Sequence, residues 1–116
     1  MSEANKQARI EAFRENLTVD GEELILLNGL TTVATVTGLV DRGFAKTKLA
    51  PHQVDYTERN SSVIEVLRVD LESVEDQIKI GLTWKDGDDH HHRIESVRRT
   101  DVVFRFECET DPEDLE

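Results

Sequence analysis

The sequence predicts a mainly β domain, a small antiparallel β-barrel or β-sandwich carrying one N-terminal helix. Three observations lead there. The apolar residues are chiefly Val, Ile and Leu, with only four Phe, one Tyr and one Trp in 116 residues, and that bias suits a pleated, half-buried surface. Two segments alternate, with Ile78, Ile80, Leu82 and Trp84 on one face of the first and Val102, Phe104, Phe106 and Cys108 on one face of the second, the period of a strand with one side in a core. Asn28-Gly29 separates two β-prone runs by two residues, the composition of a type I′ hairpin turn. A hydrophobic content of 37% supplies one modest core, so residues 1–116 read as a single domain.

The elements follow in chain order. Ile10, Phe13 and Leu17 recur at helical spacing with Arg9, Glu11, Arg14 and Glu15 on other faces, predicting an amphipathic helix to residue 17 that ends before the Asp20-Gly21 turn. In the second arm of the hairpin Ala34, Val36, Gly38 and Val40 share one face and Val33, Thr35, Thr37 and Leu39 the other. Residues 41–62 lose all periodicity and read as a long loop. "VIEVLRVDL" (63–71) alternates Leu67, Val69 and Leu71 against Val66, Arg68 and Asp70, predicting a strand, after which "SVEDQ" turns the chain. Strands over 78–84, 93–97 and 101–108 complete the sheet. Residues 109–116 hold five acids, one proline and one leucine and read as a flexible acidic tail.

Charge and cysteine content exclude several classes. The formal net charge is -11, from 14 basic and 25 acidic residues, which opposes the phosphate neutralisation on which duplex binding depends; no sequence-specific nucleic-acid partner is expected. The single cysteine, Cys108, rules out an internal disulfide. The start of the chain is charged where a signal peptide needs an apolar run. Leu24 to Val40 contains no charge, yet it is shorter than the about 20 apolar residues of a spanning helix and carries Asn28, two glycines and four threonines. Two strands explain it better than a membrane segment.

"KDGDDHHHRIESV" (85–97) raises the question of metal chemistry. Adjacent histidines in an extended chain point to opposite sides, so His90 and His92 are the pair that could share an ion, with Asp88 or Asp86. That shell is incomplete, and His52 is the only other histidine. The reading is a polar turn on Asp86-Gly87 joining two strands, with no metal and no other cofactor. Nucleophilic chemistry has no better basis: Cys108 lies on the apolar side of its strand, Ser61 and Ser62 beside Asn60 suit backbone capping, and no nucleophile-elbow or phosphate-loop motif occurs. No enzyme activity is expected. Arg93, Arg98 and Arg99 stand out in an acidic chain and could fork onto carboxylates of an acidic partner, such as the tail of another copy.

The order of these pieces resembles the head-tail joining (head-completion, neck connector) proteins of long-tailed bacteriophages and prophages. The likeness is carried by a helix ending near "EAFRENL", a first strand after "DGEEL", "VATVTGLVDRGF" leading into a long loop, "IEVLRVDL", and the closing "HRIESVRRTDVVFRFEC". It covers most of the chain. The resemblance implies a β-barrel or sandwich that docks on the connector of a filled head and presents a platform to the tail, in the virion and, before assembly, in the bacterial cytoplasm. It implies other neck, portal or tail proteins as partners and a homo-oligomeric ring on assembly. Phe44, Leu49 and Tyr56 in the long loop are then candidate anchors, beside Arg98 and Arg99. The alternatives are a small non-enzymatic ligand- or protein-binding β domain of bacterial origin and, further off, a metal-dependent enzyme.

Overall fold

The computed structural model describes residues 3–42 and 61–110. An α-helix, α1 (Glu3–Asp20), precedes six strands: β1 (Glu22–Asn28), β2 (Thr31–Asp41), β3 (Ser61–Leu67), β4 (Thr83–Lys85), β5 (His91–Arg99) and β6 (Val103–Thr110), with a 3-10 helix (Arg68–Gln77) between β3 and β4. The strands close into an antiparallel barrel in the order β1-β2-β3-β6-β5-β4. Closure comes from β1 meeting β4, with Ile25, Leu26 and Leu27 opposite Lys85, Trp84 and Thr83. The predicted class is therefore the observed one, with barrel rather than sandwich geometry.

The inward rows of β3 and β6 follow the period-2 pattern, and those of β2 and β5 follow it except at one bulge each. Leu24 and Leu26, Ile64 and Val66, Trp84, Ile94, Phe104 and Phe106 have no solvent exposure and fill the interior. Each such side chain contributes roughly 1.5–3 kcal/mol of burial free energy. Trp84 meets Phe106 edge-to-face with centroids 5.3 Å apart. The Trp84 indole Nε1 has no hydrogen-bond acceptor among the described residues. Val33 joins the same core as Ala34 and Val36 because the register between β1 and β2 slips between Leu26 and Leu27, a bulge that turns one extra residue inward.

A second apolar cluster lies outside the barrel. Leu17, with Ile10 and Phe13, packs against Leu67, Val102, Leu39 and Val103, as the helical spacing predicted. Arg9 to Asp101 at 2.7 Å and Arg14 to Asp70 at 2.9 Å pin the helix at its flanks. The helix runs three residues beyond the expected end, because the Gly21 amide donates to the Leu17 carbonyl and closes its last turn. Among the described residues no helix is long and apolar enough to cross a membrane.

Three local expectations are corrected. The hairpin turn is Gly29-Leu30, not Asn28-Gly29: Asn28 and Thr31 pair across the ladder, and only Gly29 has a positive φ, 63°. A single positive φ at the first central position is the type II′ pattern. The strand expected through Leu71 ends at Leu67, where its partner β6 begins at Val103; with no ladder beyond, the chain coils so that Leu71 and Val74, three apart, face the core and Val69 is left exposed. Arg68 forks onto Glu75 across that coil. In 78–84 only Thr83 and Trp84 are strand. Gly81 adopts φ 98°, which breaks the alternation and leaves Ile80 63% exposed.

Boundaries shift as well. Asp41 belongs to β2 and Ser61 and Ser62 to β3, so of the described residues of the expected loop only Arg42 lies outside a strand. Glu109 and Thr110 belong to β6, not to a tail, and Thr110 is buried. Because the strands are antiparallel, β1, β3 and β5 begin, and β2, β4 and β6 end, at the same end of the barrel.

Candidate functional site

That end is closed by polar side chains. The connection from β4 to β5 runs from Asp86 to His90 and folds about the Asp86 carboxylate. Asp86 Oδ1 accepts the amides of Asp88 at 2.9 Å and His90 at 3.0 Å, while the Asp86 amide donates to the His90 carbonyl. An aspartate that hydrogen-bonds its own downstream backbone is a turn-former. Asp89 takes the left-handed conformation, φ 64°, which aspartate tolerates better than most residues.

Oδ2 of the same carboxylate faces inward. It accepts Arg42 Nη2 at 2.8 Å and His92 Nε2 at 2.8 Å. His90 Nδ1 lies 3.7 Å away. The Asp86 side chain has no solvent exposure. Burial alone would raise its pKa; the hydrogen bonds from His92, from Arg42 and from the His90 and Asp88 amides outweigh that and hold the carboxyl well below the ordinary range. Arg42 also forks onto Glu22, at 2.8 and 3.2 Å. Its pKa is raised, first by the Glu22 hydrogen bond and against the effect of burial, with Asp86 adding to the rise.

His92 is 1% exposed. Since ionised Asp86 can only accept, Nε2 carries the hydrogen, which leaves Nδ1 to accept in the neutral ring. Two hydroxyls stand there, Ser62 Oγ and Thr110 Oγ1, each at 2.8 Å, and Thr110 Oγ1 is 3.3 Å from Ser62 Oγ. Four segments of the chain thus meet through one carboxylate and one imidazole: the residue after β2 (Arg42), the start of β3 (Ser62), the turn and start of β5, and the end of β6 (Thr110); the start of β1 joins them through the Glu22–Arg42 pair.

Ser62, His92 and Asp86 are bonded in the order of a hydrolase triad, but the geometry suits a plug. All three are at most 4% exposed, and Ser62 Oγ is shared with Thr110. A shallow groove on the outer surface includes Ser62, Glu107 and Cys108 in its lining but neither His92 nor Asp86. A nucleophile needs its base and an approaching carbonyl at the same opening. Cys108 is 3% exposed, and its thiol is pushed up to about 12, by burial first and then by Glu95 and Glu107.

The lone pairs of Asp86 bear on the metal question. Ligand atoms of Asp86, Asp88 and His90 lie within 4.8 Å of one another. Each Asp86 oxygen already accepts two donors, which uses its two lone-pair directions. A cation there would have to displace the turn amides or the Arg42 and His92 contacts, leaving Asp88 and His90 as the remaining ligands, short of a metal shell. His92, grouped with His90 from the sequence, is instead the second residue of β5 and points into the barrel. Only His90 of the histidine triplet belongs to the connection.

The expected partner residues divide. Phe44, Leu49 and Tyr56 lie outside the described residues. Arg98 is exposed on β5, 3.6 Å from Glu107. Arg99 places its guanidinium over the Phe104 ring at 5.6 Å, a cation–π contact at the opposite end of the barrel. The two therefore do not form one site with the histidine turn. Sequence reasoning gave Ser62 to backbone capping, whereas its hydroxyl meets His92 inside β3, and it assigned no role in the site to Thr110, Arg42 or Glu22. For the first two a signal existed: Ser62 continues the Ile64 and Val66 row backwards, and Thr110 continues the Phe104, Phe106 and Cys108 row forwards. Against known proteins, a scan of protein-family profiles and a search of curated proteins both return no match.

Proposed function

We propose that this chain is a non-enzymatic adaptor that joins other proteins, in the manner of the head-tail joining proteins of long-tailed phages and prophages. The observation that carries the reading is the filled interior: the barrel axis is occupied by Trp84, Phe104, Phe106 and the aliphatic rows, and one end is sealed by the Asp86–His92 plug. A ligand-binding barrel keeps a concave, partly apolar cavity for its ligand; here the space is taken by side chains. Binding then falls to the outer walls, the loops and the ends, as an adaptor requires.

The resemblance supports the phage setting through two of its segments, since "GLVD" ends β2 and "HRIESV" forms most of β5, whereas "VLRVDL", expected as a strand, is strand only at Val66 and Leu67. The partners are other neck, portal or tail proteins, and the setting is the virion and the bacterial cytoplasm before assembly. The strong negative charge keeps free copies apart until a partner surface is presented.

A prophage deleted for this gene tests the reading. Filled heads and free tails should accumulate unjoined, and adding the purified chain to that lysate should restore infectious particles. Normal yields of joined particles from the deletion would refute it.

A further inference from the structure

We infer that the free edge of β2 is a docking site for an extended, basic segment of a partner protein, which adds to the barrel as a further strand. The ring of strands is complete only toward the sealed end. β2 runs from Thr31 to Asp41, but β3 pairs with it only at Leu39, Val40 and Asp41. Along Thr31–Thr37 the ladder to β1 is present, and on the other side β2 makes no backbone hydrogen bond among the described residues. β3 ends at Leu67, and the 3-10 helix that follows lies against β2 without bonding to its backbone.

The gap shows in the burial. Val33, Ala34 and Val36 pack on the core yet are only half-buried, whereas Leu24 and Leu26 across the ladder have no exposure. A strand laid beside Ala34–Thr37 would pair the open amides and carbonyls and cover the inward side chains with its own. That is recognition by strand addition.

Soluble proteins blunt an open edge with charges, prolines or bulges. The other open stretch of this barrel follows that practice: β4 pairs with β5 only at His91–Arg93, Ile94 bonds to Gly81 and Leu82, and beyond it β5 carries Glu95, Arg98 and Arg99. Thr31–Gly38 holds neither charge nor proline. Its bulge at Val33 leaves the register from Ala34 to Gly38 regular.

The neighbours of β2 indicate which partner. The charged residues that it faces across its two ladders are all carboxylates, Glu22, Glu23 and Glu65, and Arg42 already holds Glu22. The chain as a whole carries -11, so a second copy would be repelled and a basic segment drawn in. Lys or Arg alternating with β-branched residues would set cations toward Glu23 and Glu65 outside and apolar groups toward Val36 inside. This holds whether or not the chain belongs to a phage.

Amide hydrogen exchange and fluorescence anisotropy on the full chain test it, with a labelled peptide of alternating Val and Lys as the probe. In the free chain the amides of Ala34–Thr37 that point away from β1 should exchange fast, and the peptide should bind and slow them. N-methylation of the peptide nitrogens keeps every side chain and removes the donors; it should weaken binding by roughly tenfold or more. A peptide of alternating Val and Glu should bind as weakly. Thr35→Lys, at an exposed position, sets a like charge on the edge and should weaken binding severalfold with an unchanged urea midpoint. Amides already protected in the free chain, no binding of the Val-Lys peptide, or binding that survives N-methylation or Thr35→Lys would each overturn the proposal. None of these results bears on whether the gene is needed to join heads to tails.

Discussion

His92 donates its Nε2 hydrogen to Asp86 Oδ2 across 2.8 Å, with both side chains sealed from solvent inside one end of the barrel. The carboxylate also holds Arg42 and two amides of the turn, so its removal leaves several donors unsatisfied. Asp86→Asn should cost about 2–4 kcal/mol, below the full loss for a wholly buried pair because Arg42 is partly exposed and keeps Glu22. Urea unfolding at neutral pH measures it. A change near zero would mean that the plug rearranges without cost.

The acid limb of stability carries a second signature. Asp86 has a folded pKa below its unfolded value of about 3.9, so its contribution is present above that value and is lost as pH falls toward the folded one. The advantage of the native chain over Asp86→Asn should be flat from about pH 7 to 5 and shrink below about pH 4. Unfolding midpoints at several pH values check this. An advantage that grows on acidification would mean that the buried group is protonated.

Ser62 and Thr110 serve the same nitrogen, and their losses should not add. Ser62→Ala or Thr110→Val alone leaves one hydroxyl for His92 Nδ1 and should cost about 0.5–1.5 kcal/mol. Both together strand a buried acceptor and should cost about 1–3 kcal/mol beyond the sum. A double-mutant cycle gives the coupling directly.

Trp84 offers a test of an unused donor. Trp84→Ala should cost about 3–5 kcal/mol through lost packing. Trp84→Phe keeps a ring against Phe106 and removes an indole N–H that has no acceptor among the described residues, so it should cost only about 1–2 kcal/mol. Comparable costs for the two would mean that the N–H has a partner.

Gly81 should be sensitive and its neighbour Ile80 tolerant. At φ 98° an added Cβ is strained even though nothing lies within 4 Å of it, and Gly81→Ala should lose about 1–2 kcal/mol. Ile80→Ser, at an exposed position, should change stability by less than about 0.5 kcal/mol. Thermal melts of the two variants separate backbone strain from side-chain burial.

How much of this was legible in the sequence depended on the range of the cause. The inward row of β6, the helix face of Ile10, Phe13 and Leu17, and the existence of the first hairpin are local period effects and could be read directly. The end of β3 could not, because it is set by where β6 stops pairing, some 36 residues further along at Val103. The 78–84 segment misled because Ile78, Leu82 and Trp84 keep an alternating spacing although Gly81 breaks the strand between them. The turn at Asp86-Gly87 was placed between two strands, though His91 and His92 proved to belong to β5; closure of β4 on β1 and of β5 on β6 is what brings Arg42, Ser62 and Thr110 around Asp86. Nothing local to residues 85–97 encodes those contacts.

Trp84 sits directly across the β4–β5 ladder from His92, and it is the only indole in the chain. Its fluorescence is therefore a built-in optical gauge of the sealed end: water reaching the imidazole would redden and dim the emission before the rest of the barrel melts. No dye need be attached to watch that end loosen when another protein grips the chain.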